Sequence, residues 1–199
     1  MKKDLIIVGA GASGIAAAYL AAKAGLNTLI LEKEKWPRYK ACGGALSART
    51  IKILRKYDID LQDKIIKKEI DQFKFSFSDR IDFELKYNKT PIKLINRKTF
   101  DDFLLNKALA AGADLIAENQ VLRVDERDED VLIESEKNIY QSKYLIAADG
   151  ANSKIAAYLN RDRKKIRAYN GIAVETEIER DKLINDCFKD QILVDFKYI

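Results

Sequence analysis

Hydrophobic and polar positions change period several times along this chain, and each change predicts an element. Leu5 to Val8 is a short continuous apolar run, the pattern of a buried strand. An Ala-rich helix follows to about Ala24, with Gly25 where a helix C-cap glycine belongs. Thr28 to Leu31 reads as a second strand and ends in Glu32. Trp36-Pro37 breaks regularity, so Lys33 to Ala45 reads as a loop. A helix is expected from near Leu46 or Ser47 to about Tyr57, with Ile51, Ile53 and Leu54 inward. Ile59 to Glu69 fits a short helix or an extended connection.

From Gln72 the period becomes two. Phe73, Phe75 and Phe77 alternate with Lys74, Ser76 and Ser78; Ser78-Asp79-Arg80 is a turn; then Ile81, Phe83, Leu85 and Tyr87 alternate with Asp82, Glu84, Lys86 and Asn88. This predicts a β-hairpin with one apolar face. Its Phe and Tyr stripe is expected in the core, although a flat apolar face also suits a long hydrocarbon. Ile92 to Ile95 is a third strand after Pro91. Arg97 to Asp102 opens a helix with Thr99 as N-cap, Phe103, Leu104, Ala108 and Leu109 inside, and Gly112 at its end. Ala113 to Ala117 reads as the next parallel strand. A small meander follows: a strand from Val121 to Val124, an acidic turn from Asp125 to Asp130, a return at Val131 to Ile133, and a strand at Ile139-Tyr140. It stands where a simple βαβ crossover has a helix. Tyr144 to Ala148 is expected as a buried strand, then Asp149-Gly150-Ala151-Asn152-Ser153 and a helix from Lys154 to Leu159. Arg161 to Arg167 is strongly basic, either a solvated loop or a contact for an anionic head group. Gly171 to Ile178 and Gln191 to Phe196 read as two more strands.

The chemistry lies at the first strand–helix junction. Gly9-Ala10-Gly11-Ala12-Ser13-Gly14 is a full G-x-G-x-x-G. Gly9 lets the chain turn off the strand, Gly11 lets backbone approach a diphosphate, and Gly14 lets helix and strand pack closely. The helix N-terminus presents N–H groups and a positive dipole end to the phosphates. Glu32 lies where a carboxylate can accept hydrogen bonds from both ribose hydroxyls of an adenosine, and its charge opposes a 2′-phosphate. The ligand class is therefore NAD or FAD rather than NADP.

Composition narrows the picture. The chain has 199 residues, 47% hydrophobic and 34% charged, enough for one real core and a smaller second lobe. The net charge of +5 suits an anionic cofactor or lipid surface. No basic stripe with interleaved aromatics favours nucleic acid. The two cysteines, Cys42 and Cys187, have no metal-ligand spacing, and the absence of histidine excludes a His-based triad. Two unpatterned cysteines suggest a reducing compartment, hence a cytoplasmic protein, with peripheral membrane contact as an added expectation. Lys2 and Lys3 followed by the uncharged run Leu5 to Ala22 mimic a signal peptide or membrane span. The phosphate-turn spacing of its glycines argues against that reading.

Three separated motifs then resemble one family. GAGASG with Glu32 resembles the ADP half of an FAD site. Arg97 in NRKTFDDFL resembles the helix-opening arginine of flavoprotein hydroxylases and their relatives, and ADGANS resembles the D-G motif of that superfamily. The loop PRYKACGGALS is similar to that of the geranylgeranyl reductases, in which a Cys-Gly pair faces the flavin. The resemblance implies an α/β fold: a Rossmann-like FAD-binding domain with a parallel sheet and β-meander crossover (1–69 and 96–160), plus part of an antiparallel-sheet substrate domain (70–95 and 161–199). It implies FAD contacts at Ser13, Glu32, Cys42, Gly43, Ala45, Arg97 and, through its backbone, Val121, with Asp149 approaching the cofactor. It implies saturation of isoprenoid lipid double bonds, with NAD(P)H, ferredoxin or a deazaflavin as reductant. A hydride from reduced FAD would reach one alkene carbon and a proton the other. Cys42 is the candidate proton donor, because an ordinary thiol holds its proton at neutral pH; the alternative is that it packs beside the ring. Family members continue for about as long again, with a later Gly-Asp motif and a substrate lobe, so the chain reads as a fragment, one product of a split gene whose second polypeptide carries the other half, or a protein inactive alone. An aromatic monooxygenase or halogenase on the same scaffold, and a non-catalytic nucleotide-binding fragment, are the competing readings. An NAD dehydrogenase fits the D-G motif and the crossover poorly.

Overall fold

The structure is a computed structural model that describes residues 2–77, 81–87, 91–159, 173–176 and 191–196. In chain order the elements begin β1 Lys2–Val8, α1 Ala12–Lys23, β2 Thr28–Leu31, β3 Ala45–Leu46 and α2 Ala48–Lys56. A short 3-10 turn, Asp63–Ile65, leads into β4 Ile66–Ile70, then β5 Gln72–Phe77, β6 Ile81–Lys86 and β7 Ile92–Ile95. The rest are α3 Arg97–Ala110, β8 Asp114–Ile116, β9 Val121–Glu126, β10 Val131–Ser135, β11 Ile139–Ala147, α4 Ile155–Tyr158 and β12 Gln191–Asp195. They divide into two compact units, 1–40 with 98–173, and 41–97 with 174–199. The segment 41–69, expected with the nucleotide-binding part, thus groups with the second unit.

The first unit is a six-stranded sheet in the order β8-β2-β1-β11-β10-β9. Its first four strands run parallel, and β10 and β9 continue it antiparallel. Ile6 and Ile7 are both fully buried, so β1 is covered on both faces, which is why its sequence is a continuous apolar run. In α1 the buried residues Gly14, Ile15, Ala18, Tyr19 and Ala22 form one helical stripe. The core gathers Ile6, Val8, Leu29, Leu31, Val121, Val124, Ile133, Tyr140 and Ile155. Within it, buried Asn119 is satisfied: its amide donates to the Tyr140 hydroxyl at 3.1 Å and its carbonyl accepts the Lys137 N–H at 3.1 Å. At the start of β1, Asp4 accepts the Asn27 N–H and lies 3.4 Å from Lys143 Nζ. These two partners, the N–H first, hold its carboxyl below the usual range. Its stabilising effect is present above the unfolded pKa and is lost as pH falls through the lowered folded value.

The second unit holds two three-stranded sheets. In one, β7 lies between β3 and β4, antiparallel to both. In the other, β5 lies between β6, antiparallel, and β12, parallel. Among its described residues, the buried hydrophobic side chains are Leu46, Ile51, Ile59, Ile65, Ile70 and Ile95.

Several expectations are corrected. The strands foreseen at Ile139-Tyr140 and Tyr144–Ala148 are one nine-residue strand, β11. Its residues 139–142 pair with β10 on one side and 141–147 with β1 on the other, so the meander is the continuation of the parallel sheet. The second half of β11 is not buried, with Tyr144 65% exposed. The hairpin stripe is not core: Phe77, Phe83, Leu85 and Tyr87 are 39–50% exposed. In α2, Ile51 is buried but Ile53 points outward. Helix α3 begins at Arg97, so Thr99 lies inside its first turn and is no N-cap. Its buried face is Phe100, Asp101, Leu104, Leu105 and Ala108, with Leu109 outside. Residues 59–69 resolve into the 3-10 turn and β4, and residues 173–176 form no strand. The 78–80 turn, the Arg161–Arg167 segment and Cys187 lie outside the described residues. Among the described residues no helix is long and apolar enough to cross a membrane.

The rotated face of α3 is directly testable by chemical denaturation. Leu105→Ala is expected to cost about 2–5 kcal/mol. Leu109→Ala, on the same helix, is expected to cost about 0.5 kcal/mol or less. Equal losses would restore the face first expected.

Candidate functional site

The end of β1 is pinned on both sides. The Gly9 N–H donates to the Leu31 carbonyl at 2.8 Å, and the Ala148 N–H to the Val8 carbonyl at 2.8 Å. Gly9 has φ +102°, and a Cβ there would lie 2.4 Å from the Ala148 oxygen. A Cβ on Gly14 would lie 2.0 Å from the Gly9 oxygen. These two positions therefore exclude every side chain. Gly11 differs. It is the extended N-cap of α1, at φ −78° and ψ 172°, and a Cβ there would meet only Arg38 Nη2 at 3.9 Å. Its backbone faces open space, and the first-turn N–H groups beyond it, including that of exposed Ser13, have no acceptor within the helix.

Glu32 leaves the end of β2 and turns back to this junction. It is 3% exposed. Its Oε2 accepts the Ala10 N–H at 2.8 Å and Arg38 Nε at 3.2 Å, and its Oε1 accepts the Glu34 N–H at 3.0 Å. Three donors, one of them cationic, compensate the buried charge. Arg38 is itself mostly covered, at 15% exposure, and its guanidinium carbon lies 5.9 Å from the Trp36 ring centre. The Trp36 indole N–H donates to Asp102 at 2.8 Å.

Asp149 sits beside Gly9, its Cα 3.1 Å from where a Gly9 Cβ would be. Its Oδ2 accepts the N–H groups of Lys154 and Ile155, at 2.8 and 3.3 Å. Its Oδ1 is buried without a hydrogen-bond partner, one of two such side-chain atoms among the described residues. Gly9, Gly11, Gly14, Glu32 and Asp149 are thus brought together at one end of the sheet. Val121, which opens β9, has its side chain in the core.

Cys42, Gly43, Ala45 and Arg97 belong to the second unit. Cys42 is a free, exposed cysteine whose backbone N–H donates to Glu175 at 2.7 Å. The demanding glycine of this loop is Gly44 rather than Gly43. Gly44 has φ +65°, and a Cβ there would lie 2.2 Å from the Ile95 oxygen, whereas nothing lies within 4 Å of one on Gly43. Ala45 begins β3 against Leu94, and half-buried Arg97 begins α3.

Chemically, the first-unit cluster can take an adenosine diphosphate group. The space beside the Gly11 backbone would accommodate it, a helix start favours anionic charge, and a carboxylate can accept from ribose hydroxyls. The orphaned Asp149 oxygen is a further acceptor at the same end. Sequence reasoning missed Arg38, Trp36 and Asp102. Trp36-Pro37 registers as loop punctuation, and Arg38 only as a member of the PRYKACGGALS loop with no role of its own, until the folded loop brings it onto Glu32.

Comparison with known proteins agrees with this chemistry. Residues 2–183 match the family model described as an FAD binding domain. An uncharacterised protein of Methanosarcina barkeri is 32% identical over 92% of this chain and 46% of its own length. The digeranylgeranylglycerophospholipid reductase 1 of Methanopyrus kandleri is 34% identical over 78% of this chain and 41% of its own length. The crystal structure of a geranylgeranyl bacteriochlorophyll reductase-like protein from Thermoplasma acidophilum superposes with a TM-score of 0.69 at 28% identity. That match covers 79% of this chain and 42% of the other. The chain spans less than half the length of the relatives it matches.

The two glycine environments predict opposite phenotypes. Gly14→Ala is expected to cost about 1–3 kcal/mol of stability or more, because backbone must move. Gly11→Ala is expected to cost less than about 1 kcal/mol yet weaken ADP binding about tenfold or more. Denaturation curves paired with ADP titrations separate the two effects.

Proposed function

This chain belongs to the FAD binding domain family, and on that premise we propose that it forms the FAD-binding portion of a flavin-dependent reductase that saturates isoprenoid double bonds of lipids. The observation that carries this reading is the Cys42-Gly43-Gly44 loop. It presents an exposed free thiol and is held by the Glu175 hydrogen bond to the Cys42 N–H and by the close approach of Gly44 to Ile95. Hydroxylation or halogenation of an aromatic ring has no need of such a thiol.

Each residue has a defined task in this proposal. Gly9 and Gly14 set the turn, Gly11 admits the diphosphate, and the first turn of α1, with Ser13, receives it. Glu32 accepts from the adenosine ribose. Val121, through its backbone, Arg97, Gly43, Ala45 and Asp149 complete the contacts. When bound in reduced form, FAD supplies a hydride for one alkene carbon. Cys42 holds a proton at Sγ for the other. The sheet of β12, β5 and β6 supports an isoprenoid substrate. Phe73, Phe75 and Phe77 share one face with Phe83, Leu85, Ile192 and Val194 by register. Its rings stack at 4.9 Å between Phe75 and Phe83 and at 4.6 Å between Phe77 and Phe196. A long hydrocarbon can lie along such a surface.

Two measurements test the proposal. The purified chain reconstituted with FAD is expected to retain flavin absorbance near one equivalent; a colourless chain that binds no ADP would sink it. In a turnover-competent protein, Cys42→Ala is expected to slow alkene reduction about a hundredfold or more and leave flavin affinity unchanged. Full activity in that variant removes the thiol from the mechanism.

A further inference from the structure

Arg38 is assigned no role by the motif at the junction, yet it is among the most constrained charged side chains there. Its Nε donates to Glu32 Oε2 at 3.2 Å, and its Nη2 lies 3.9 Å from the position of a Gly11 Cβ. Its guanidinium carbon lies 5.9 Å from the Trp36 ring centre, within cation–π range, and the Trp36 indole is tied to Asp102 at 2.8 Å. One guanidinium therefore spans the ribose-reading acid and the phosphate-admitting glycine.

Lone pairs decide what it does there. A carboxylate offers about four acceptor sites, two on each oxygen. On Glu32, Oε2 already serves Ala10 and Arg38, and Oε1 serves Glu34. With Arg38 in place only one site remains, on Oε1. With Arg38 withdrawn there is one on each oxygen, which matches the two hydroxyls of a ribose. The withdrawn guanidinium then has Gly11 beside it, where a diphosphate would pass, and planar Arg pairs strongly with phosphate oxygens.

We infer that Arg38 is an exchangeable positioning residue, paired with Glu32 until a nucleotide arrives and then transferred to the diphosphate. This deepens the FAD reading above and rests on it. The exchange keeps the Glu32 charge compensated without a ligand. It also ties adenosine recognition to the presence of phosphates, so a nucleoside must displace the arginine with nothing to offer it.

The test compares adenosine, ADP and FAD on the full chain, wild type against Arg38→Ala and Arg38→Lys, with thermal unfolding to confirm that each variant is folded. Arg38→Ala is expected to weaken ADP and FAD about 10- to 100-fold while adenosine binds as well as before or more tightly. Arg38→Lys is expected to recover part of the ADP affinity, since it keeps the charge and loses the fork. Equal weakening of all three ligands would reduce Arg38 to a shape-keeping role and overturn the exchange. Unchanged ADP and FAD affinity would overturn it as well. If wild type binds neither ADP nor FAD, the nucleotide reading of the junction itself fails, a result distinct from either of these.

Discussion

The meeting of three backbones at Gly9, Gly14 and Ala148 is the constraint on which the first unit depends. Gly9 turns off β1 at positive φ with the Ala148 carbonyl where its side chain would be, and Gly14 packs α1 onto the Gly9 carbonyl. No residue with a Cβ can take either position without displacing main chain. Because these two glycines are consumed by packing, the third is left with open space beside it. Closeness at two points creates access at the one between them.

That access becomes selective through charge. A carboxylate that is 3% exposed is costly unless it is paired and hydrogen-bonded. Glu32 meets the condition with two backbone N–H groups and one arginine, all from residues within or flanking the same turn and loop. The loop is held by a tryptophan anchored to α3 through Asp102. A helix remote in sequence thereby takes part in positioning the charge that faces the junction.

In the second unit the same residue types are used differently. Its β12-β5-β6 sheet alternates strictly, with Lys74, Ser76, Asp82 and Glu84 on one face and stacked rings on the other. A globular core would hide those rings; here Phe77 and Phe83 remain 39% and 47% exposed. It is this contiguous apolar surface on which the proposal above places a hydrocarbon.

Local information was sufficient for much of this protein. The strand–turn–helix–strand unit from Leu5 to Glu32, the Gly25 terminus, the hairpin and the parallel strand after Gly112 are all legible. In each, periodicity and glycine placement are properties of neighbouring residues. Burial was not legible where partners come from afar. In α3, Leu105 rather than Leu109 faces inward, a choice made by what the helix packs against and not by its own periodicity. The hairpin stripe could not announce its exposure, since alternation shows that one face is apolar but not what covers it. Continuity of β11 was hidden because one of the two strands that flank it, β1, comes from the far end of the chain. Arg38 was hidden for the same reason: a loop residue six positions past Glu32 acquires meaning only when the loop closes. Sequence thus determined which elements form and where the glycine turn lies, because these are properties of neighbouring residues, while long-range packing alone decided which side chains are buried and which arginine is brought onto Glu32.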